Sequence, residues 1–454
     1  MSELAGAAMV LALLWIGWCR FRRLPLLTGS HIIYWWAGLS TLIYMDIGGL
    51  NRLRWPLGVG MAAAGGWIYS RIGFSRSDRT ILWVLGALHL LMLASCLWSL
   101  LPTYTFLRAG AQGLVFAFAG IGAFAFASRN SGRVQLFWIL IASSLALSPL
   151  VFSGLTGASA VLQEGSRYRY TAVEALRATG TAEVALNIGI ALVYFHCVGP
   201  YTYRKPALLM FLLAVAVVLL SRTRGVLAIG LVVIPVLWRL LKSGKDIGAA
   251  VAMYLLLAFI GSVGWSALSD NQKTEFRSFF RISDVQETLR TRVDGRWEIA
   301  IPKALERPLL GRGFGLSRYY PEHDAIITRA GYERVKQFRW AYTHNQFLSV
   351  FYDFGLLGLI LFVVPIAMTA REVFYLFQSS RMSFSEWAMT MTMSAYWGQN
   401  VLGMMFHDGR LTIGNASSYW YLIQTVWIWQ MATAVRSRRQ SSLFPKSEPF
   451  RVAI

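Results

Sequence analysis

The chain has 454 residues, of which 56% are hydrophobic and only 14% charged. A soluble domain carries roughly a quarter charged residues, so this composition excludes an ordinary water-soluble globule and points to lipid as the solvent. The formal net charge of +21 would suggest a nucleic-acid partner in a soluble chain. In a membrane protein, part of that excess is the Lys and Arg that set orientation, so no nucleic acid is implied.

The apolar runs are long and continuous rather than alternating. Only helices or closed barrels satisfy their backbones in a bilayer, and this pattern selects helices. Spans are predicted at about 3–19, 31–48, 80–101, 103–128, 134–156, 181–199, 206–221, 225–241, 246–268, 346–370, 386–406 and 415–433. A shorter Gly-rich run at about 56–70 is either a thirteenth span or a re-entrant segment. The fold class is therefore all-α, a polytopic membrane protein with about 12–13 transmembrane helices. The first run, "LAGAAMVLALLWIGWC", is followed by "RFRRLP" and reads as a retained helix rather than a cleaved leader. Cys19, Cys96 and Cys197 lie in or at the ends of apolar runs and read as small apolar residues.

With residues 56–70 spanning, the clusters "CRFRR", "SRIGFSRSDR", "RNSGR", "YRK", "RLLKSGK", "REVF" and "RSRRQ" all fall on one side, which the positive-inside rule makes cytoplasmic. The chain divides into N-terminal transmembrane helices over 1–268, one long outer loop with amphipathic helices over 269–343, C-terminal transmembrane helices over 344–434 and a basic cytoplasmic tail over 435–454. The outer loop carries 14 Lys or Arg against 10 Asp or Glu. Long loops escape the orientation rule, so these cations point to something anionic outside the membrane.

Four stretches converge on that outer side. "EALRATGTAEVALNIGIALV" places Arg177 and Gly180 at a helix entrance, with Asn187 inside. "LLSRTRGVLAIG" sets Arg222 and Arg224 between two apolar segments. These arginines face water, a headgroup or a bound anion, because burial unpaired is costly. They lie about 200° apart on a helix, so at most one faces a given pocket, and Arg224 at the start of the next helix is preferred. Both also fit as interfacial anchors.

"DGRWEIAIPKALERPLLGRGFG" holds Arg296, Lys303, Arg307 and Arg312. Trp297, Ile299 or Ala300, Ala304 and Leu305 would form an apolar face. Guanidinium forks match phosphate oxygens, although ordinary charge pairing also accounts for any one of these arginines. "GRGFG" follows no strand, so it is a tight turn and not a nucleotide fingerprint.

"FRWAYTHNQFLSVFYDFGLLGLILF" then supplies Arg339, His344 and Asn345. His344 and Asn345 would occupy the positive end of the following helix's dipole, whose field keeps the imidazole neutral, as a general base requires. A hydrogen-bonded interfacial histidine is the plainer reading. Asp353, nine residues on, falls on the opposite helical face and is not expected to orient it. No metal is called for. "PEHDA" (Glu322, His323, Asp324) is the nearest metal-like cluster, and the arginines already supply positive charge. The set suits transfer of a group from a phosphate leaving group to a hydroxyl.

These motifs resemble the O-antigen ligase and polymerase family of bacterial envelope glycosyltransferases. The resemblance lies in "RATGTAEVALN", "SRTRG", "GRWEIA…ERPLLGRGFG" and "THNQFLSVFYDFGLLG", over residues 177–358. It implies a GT-C-like fold in the inner membrane with its active site facing the periplasm and no cofactor. The implied donor is an undecaprenyl-diphosphate-linked oligosaccharide, transferred en bloc by an inverting, metal-independent step to a glycan or lipid A–core acceptor. His344 would be the base. Arg224 or Arg222, Arg296 and Arg177 would hold the diphosphate, with Asn345, Arg312 and Arg339 in support. A polymerase, which would work beside a chain-length regulator, is slightly favoured over a ligase. The rival is a transporter or flippase for an anionic lipid-linked glycan, which would bind through the same arginines and would place its site nearer the midplane.

Overall fold

The computed structural model describes residues 79–146, 148, 179–220, 223–243, 269–272, 297–318, 343, 345–405 and 416–443. Among the described residues every regular element is helical, and the protein is an all-α polytopic membrane protein. In chain order the helices are α1 (Thr80–Ala94), α2 (Pro102–Ala127), α3 (Asn130–Ala146), α4 (Thr179–Val198), α5 (Tyr201–Leu220), α6 (Arg224–Ser243), α7 (Glu298–Leu305), α8 (Gln346–Gln378), α9 (Phe384–Gly403) and α10 (Ala416–Leu443). Among the described residues, five helices are long and apolar enough to cross a membrane: α1 with its following turn, α2, α5, α6 and α8. The spans predicted at 3–19, 31–48, 56–70 and 246–268 lie outside the described residues, so the total of 12–13 reaches beyond them.

Local chemistry explains where the boundaries depart from the apolar runs. α1 gives way to a 3₁₀ turn at Ser95–Leu97, ahead of the expected end at 101. Pro102 opens α2, and Leu101 before it is non-helical (φ −129°, ψ 73°), since the proline ring disfavours the helical region for the residue ahead of it. α3 begins at Asn130 rather than 134 because Arg133 folds its guanidinium back onto the Ala127 carbonyl (3.0 Å). α10 runs past the expected end at 433. There Arg436 bonds the buried Glu372, and Arg438 chelates Glu386 at 2.9 and 2.6 Å.

α10 is the hub: it packs against α1, α2, α3, α8 and α9. Trp427 and Trp429 are fully enclosed, as are the polar side chains of Ser418, Gln424, Thr425 and Gln430. Those polar groups tie helices together, as expected where apolar lipid gives no driving force for helix association. The Asn400 amide donates to Gln424 (3.0 Å), Trp397 Nε1 to Thr425 (3.2 Å), and Trp427 Nε1 to the Arg133 carbonyl (2.8 Å). α4, α5, α6 and α9 form a second group joined to the first through α9 and α3.

Contacts between them orient these helices. A Cβ on Gly189 would meet Ile234 at 3.4 Å and one on Gly230 would meet Leu186 at 3.3 Å, so α4 and α6 run parallel and in step. The Tyr396 hydroxyl donates to the Asn187 carbonyl (2.9 Å). The same hydroxyl meets Ser144 near the end of α3, whereas Phe137 earlier in α3 packs on Tyr194 near the end of α4, so α3 and α4 are antiparallel. Arg133 near the start of α3 lies in the field of Glu386 near the start of α9, so α9 runs with α3 and against α4. The Gln346 amide donates to the Met404 carbonyl (2.8 Å), which sets the start of α8 against the end of α9. The N-termini of α4, α6 and α8 therefore share one end of the bundle. Arg129, Arg133, Arg204, Lys205, Arg239, Lys242, Arg371, Arg436 and Arg438 lie toward the other, near the ends of α2, α6, α8 and α10 and the starts of α3 and α5. The clusters "RNSGR", "YRK", "RLLK", "REVF" and "RSRR" are thus grouped as the positive-inside rule expects.

Candidate functional site

The shared end is built around the first turns of α8. Asn345 is its N-cap, with Oδ1 accepting from the Phe347 and Leu348 amides at 3.0 and 3.1 Å. An Asn cap satisfies two of the donors that a helix start leaves orphaned. With the Gln346 amide on Met404, the first three amides of α8 are all occupied. An anion near this end would feel the helix field but would not receive those N–H groups. Thr343 is buried, and its hydroxyl donates to the Asn345 carbonyl (2.9 Å) and pairs with Ser349 (2.7 Å).

α7 approaches the same point. Trp297, just before its first residue, donates Nε1 to the Thr343 carbonyl at 2.8 Å. This one bond joins the chain neighbour of Arg296 to the chain neighbour of His344, 46 residues apart. Ala300 and Ala304 are buried against Tyr352, Tyr104 and Leu316, as their i,i+4 spacing predicts. Leu305, expected on the same face, is instead 56% exposed. It follows Ala304 by one position, about 100° around the helix, and the chain turns away after it.

The segment after α7 fits a break in α8. Gly355 has φ 64° and ψ −157°, a conformation essentially confined to glycine. It frees carbonyls above and amides below, and the loop takes all four. Arg312 and Gly313 donate to the Tyr352 and Asp353 carbonyls (3.1 and 2.8 Å), while Leu356 and Leu357 donate to the Pro308 and Leu309 carbonyls (2.7 and 3.3 Å). "GRGFG" is the tight turn its glycines suggested: Gly311, Gly313 and Gly315 all have positive φ (65°, 115° and 85°). On its other side the turn rests on the α1–α2 corner through Trp98 Nε1 to Leu310 (3.0 Å), the Phe314 amide to Ser95 Oγ (3.1 Å) and Thr105 Oγ1 to Phe314 (3.2 Å).

Three of the loop cations, Lys303, Arg307 and Arg312, have partners within the protein. Lys303 pairs with Glu306 at 3.0 Å, and this bond holds the Glu306 carboxyl below the usual carboxylate range, helped by the charge of Arg312. Arg312 is buried, donates Nε to the Lys303 carbonyl (3.2 Å), forms an ion pair with Glu306 and lies 5.7 Å from the Tyr352 ring centre. Arg307 reaches the Trp98 carbonyl at 3.3 Å. Each of these contacts is an ordinary charge pair or a bond to a backbone carbonyl.

Among the expected site residues, Arg224 opens α6 and Asn345 caps α8. Arg177, Arg222, Arg296, Arg339 and His344 lie outside the described residues, as do Glu322, His323 and Asp324. Among the described residues no cluster of three or more His, Cys, Asp or Glu could hold a metal. Thr343, Trp297 and Asp353 carry structural roles that spacing did not assign. The signal for Asp353 was a lone carboxylate in an apolar run, immediately before the Phe and the helix-breaking Gly.

Residues 208–363 match the model of a family described as O-antigen ligase. The matched range takes in Arg222, Arg224, Arg296, Arg312, Arg339, His344 and Asn345, and begins after Arg177. No curated protein matches the chain.

Proposed function

We propose, from the membership of the O-antigen ligase and polymerase family that this match supports, that the chain is a membrane glycosyltransferase of envelope polysaccharide synthesis. It transfers an oligosaccharide en bloc from undecaprenyl diphosphate to a sugar hydroxyl at the periplasmic face of the inner membrane. The observation that carries this reading is the meeting of three helix N-termini, α4, α6 and α8, at one end. There the Trp297–Thr343 bond ties the chain beside Arg296 to the chain beside His344. Aligned N-termini favour negative charge, and the arginines assigned to the diphosphate belong to the same segments.

In this reading Arg224 or Arg222, together with Arg296 and Arg177, grips the diphosphate. Arg339, Asn345 and Arg312 support the site. The acceptor hydroxyl oxygen attacks the anomeric carbon from the face opposite the diphosphate. The carbon–oxygen bond to phosphate breaks with its electron pair going to the leaving group, and His344 takes the hydroxyl proton. The guanidinium groups stabilise the charge that develops on the departing diphosphate, work otherwise done by a metal. One displacement inverts the anomeric centre. The acceptor is the next lipid-linked repeat in a polymerase, the slightly favoured case, or a lipid A–core sugar in a ligase.

His344→Ala tests the assignment in purified protein given a polyprenyl-diphosphate-linked oligosaccharide and acceptor. Transfer should fall by about 10²–10⁴-fold while the lipid diphosphate still binds. Unimpaired transfer removes His344 as base, and vectorial movement of the intact lipid-linked glycan without transfer would make the protein a carrier.

A further inference from the structure

Asp353 stands out as a buried carboxylate that the transfer step does not use. Its side chain is 4% exposed, and it accepts from the Gly315 amide (2.8 Å), the Ser317 amide (2.6 Å) and the Ser317 hydroxyl (3.2 Å). Arg108 lies across the same turn, where a Cβ on Gly315 would meet its Cδ at 3.0 Å, and its charge attracts the carboxylate.

The amides of the turn define what this carboxylate does. Those of Gly311, Arg312, Gly313, Phe314 and Leu316 bond Arg307, Tyr352, Asp353, Ser95 and Gly313, and those of Gly315 and Ser317 bond the Asp353 side chain. Every N–H from Gly311 to Ser317 is engaged within the protein. A glycine-rich turn with converging amides is an anion cradle; here the anion is the protein's own carboxylate.

The segment 297–318 is thus fastened to α8 twice. One fastening is Trp297 on Thr343, ahead of the first turn. The other is Asp353 with the Gly355 break, about two turns further on. Arg312 links the two by bonding α7 at Lys303 and Glu306.

We infer that Asp353 is a positioning residue: by filling the cradle of the 311–317 turn, it locks α7 to the first turns of α8 and so fixes the chain beside Arg296 relative to the chain beside His344. The inference rests on the transfer reading for its link to turnover, but the mechanical coupling is independent of it. A loosened second fastening lets α7 shift, and a displacement near 1 Å at a reacting centre costs on the order of 10²-fold in rate.

The test uses the full-length protein with Asp353→Asn, which sets an amide NH₂ against one of the two backbone donors and keeps an acceptor for the other, and with Ser317→Ala, which removes only the hydroxyl donor. Hydrogen exchange in Asp353→Asn should rise about tenfold both at 311–317 and at 343–348. A rise confined to 311–317 would overturn the coupling. In transfer, kcat should fall about tenfold or more while the donor KM stays within about threefold. Ser317→Ala should lower kcat in the wild-type background and have no further effect beside Asp353→Asn. Additive losses would mean that Asp353 does not act through the turn. If the wild-type protein shows no transfer, the functional reading fails, and the exchange result still decides the coupling.

Discussion

Gly355→Ala is the sharpest single perturbation of this architecture. The conformation at φ 64° and ψ −157° costs a non-glycine residue about 1–3 kcal/mol. The added Cβ would also meet Leu309 C at 2.4 Å, Leu309 O at 2.5 Å and Pro308 O at 2.6 Å. These are backbone atoms, so no rotamer change relieves the contact. The variant resolves the conflict by straightening α8, which returns the Tyr352 and Asp353 carbonyls to helical partners and undocks the 308–313 segment. Undocking gives up the Arg312 and Gly313 hydrogen bonds, at about 0.5–1.5 kcal/mol net for each because the freed amides reach water. Against this the docked state carries about 1–3 kcal/mol of backbone strain plus three overlaps with backbone atoms. The overlaps decide the balance and leave the turn undocked in most molecules. Hydrogen exchange and glycan transfer should show an unprotected 308–317 segment and a rate reduced by about 10²-fold or more, while α9 and α10 stay protected. Gly398→Ala is the control, because a Cβ there meets nothing within 4 Å and adds helix propensity. A Gly355→Ala protein with a protected turn and wild-type transfer would refute the docking described here.

Trp297→Phe keeps the ring but removes the donor to the Thr343 carbonyl; transfer should fall by about tenfold, consistent with roughly 1 kcal/mol of bond plus misplacement, with the thermal midpoint little changed. Arg296→Lys retains charge but loses the bidentate fork, and transfer assays should show substantial impairment; near-normal activity would make Arg296 a surface charge. Asn345→Ala removes the cap on Phe347 and Leu348 and should destabilise the start of α8 by about 0.5–2 kcal/mol, read as faster exchange at 346–349, with Asn345→Asp recovering most of it.

Much of the helical framework was legible because continuous apolar runs report burial in lipid directly. The apolar runs located α1, α2, α5, α6 and α8, with each start within about five residues, whereas α1 ends well before and α8 well beyond its run; the shifted ends of α3 and α10 carry Arg133 and Arg436. The break in α8 was not legible, since one glycine in an apolar run is common in membrane helices. Only the carbonyls of Pro308 and Leu309, some 47 residues upstream, make it necessary. Helical periodicity turns Asp353 away from position 344, whereas its partners, Gly315 and Ser317, lie 38 and 36 residues earlier. Periodicity reports which face a residue occupies but not which distant loop meets it. Arg312 shows the same limit: its sequence context suits a phosphate ligand, yet Glu306 six residues before it and Tyr352 on α8 surround it.

Transfer at this end of the bundle requires one lipid diphosphate lying where the starts of α4, α6 and α8 meet. An electron cryomicroscopy map of the full chain in a nanodisc with a bound polyprenyl-diphosphate oligosaccharide tests this directly. It should show the diphosphate at that end, in hydrogen-bond reach of Arg296 and of Arg224 or Arg222, with His344 facing the anomeric carbon. A diphosphate seated at the opposite end, among Arg133, Arg436 and Arg438, would contradict it.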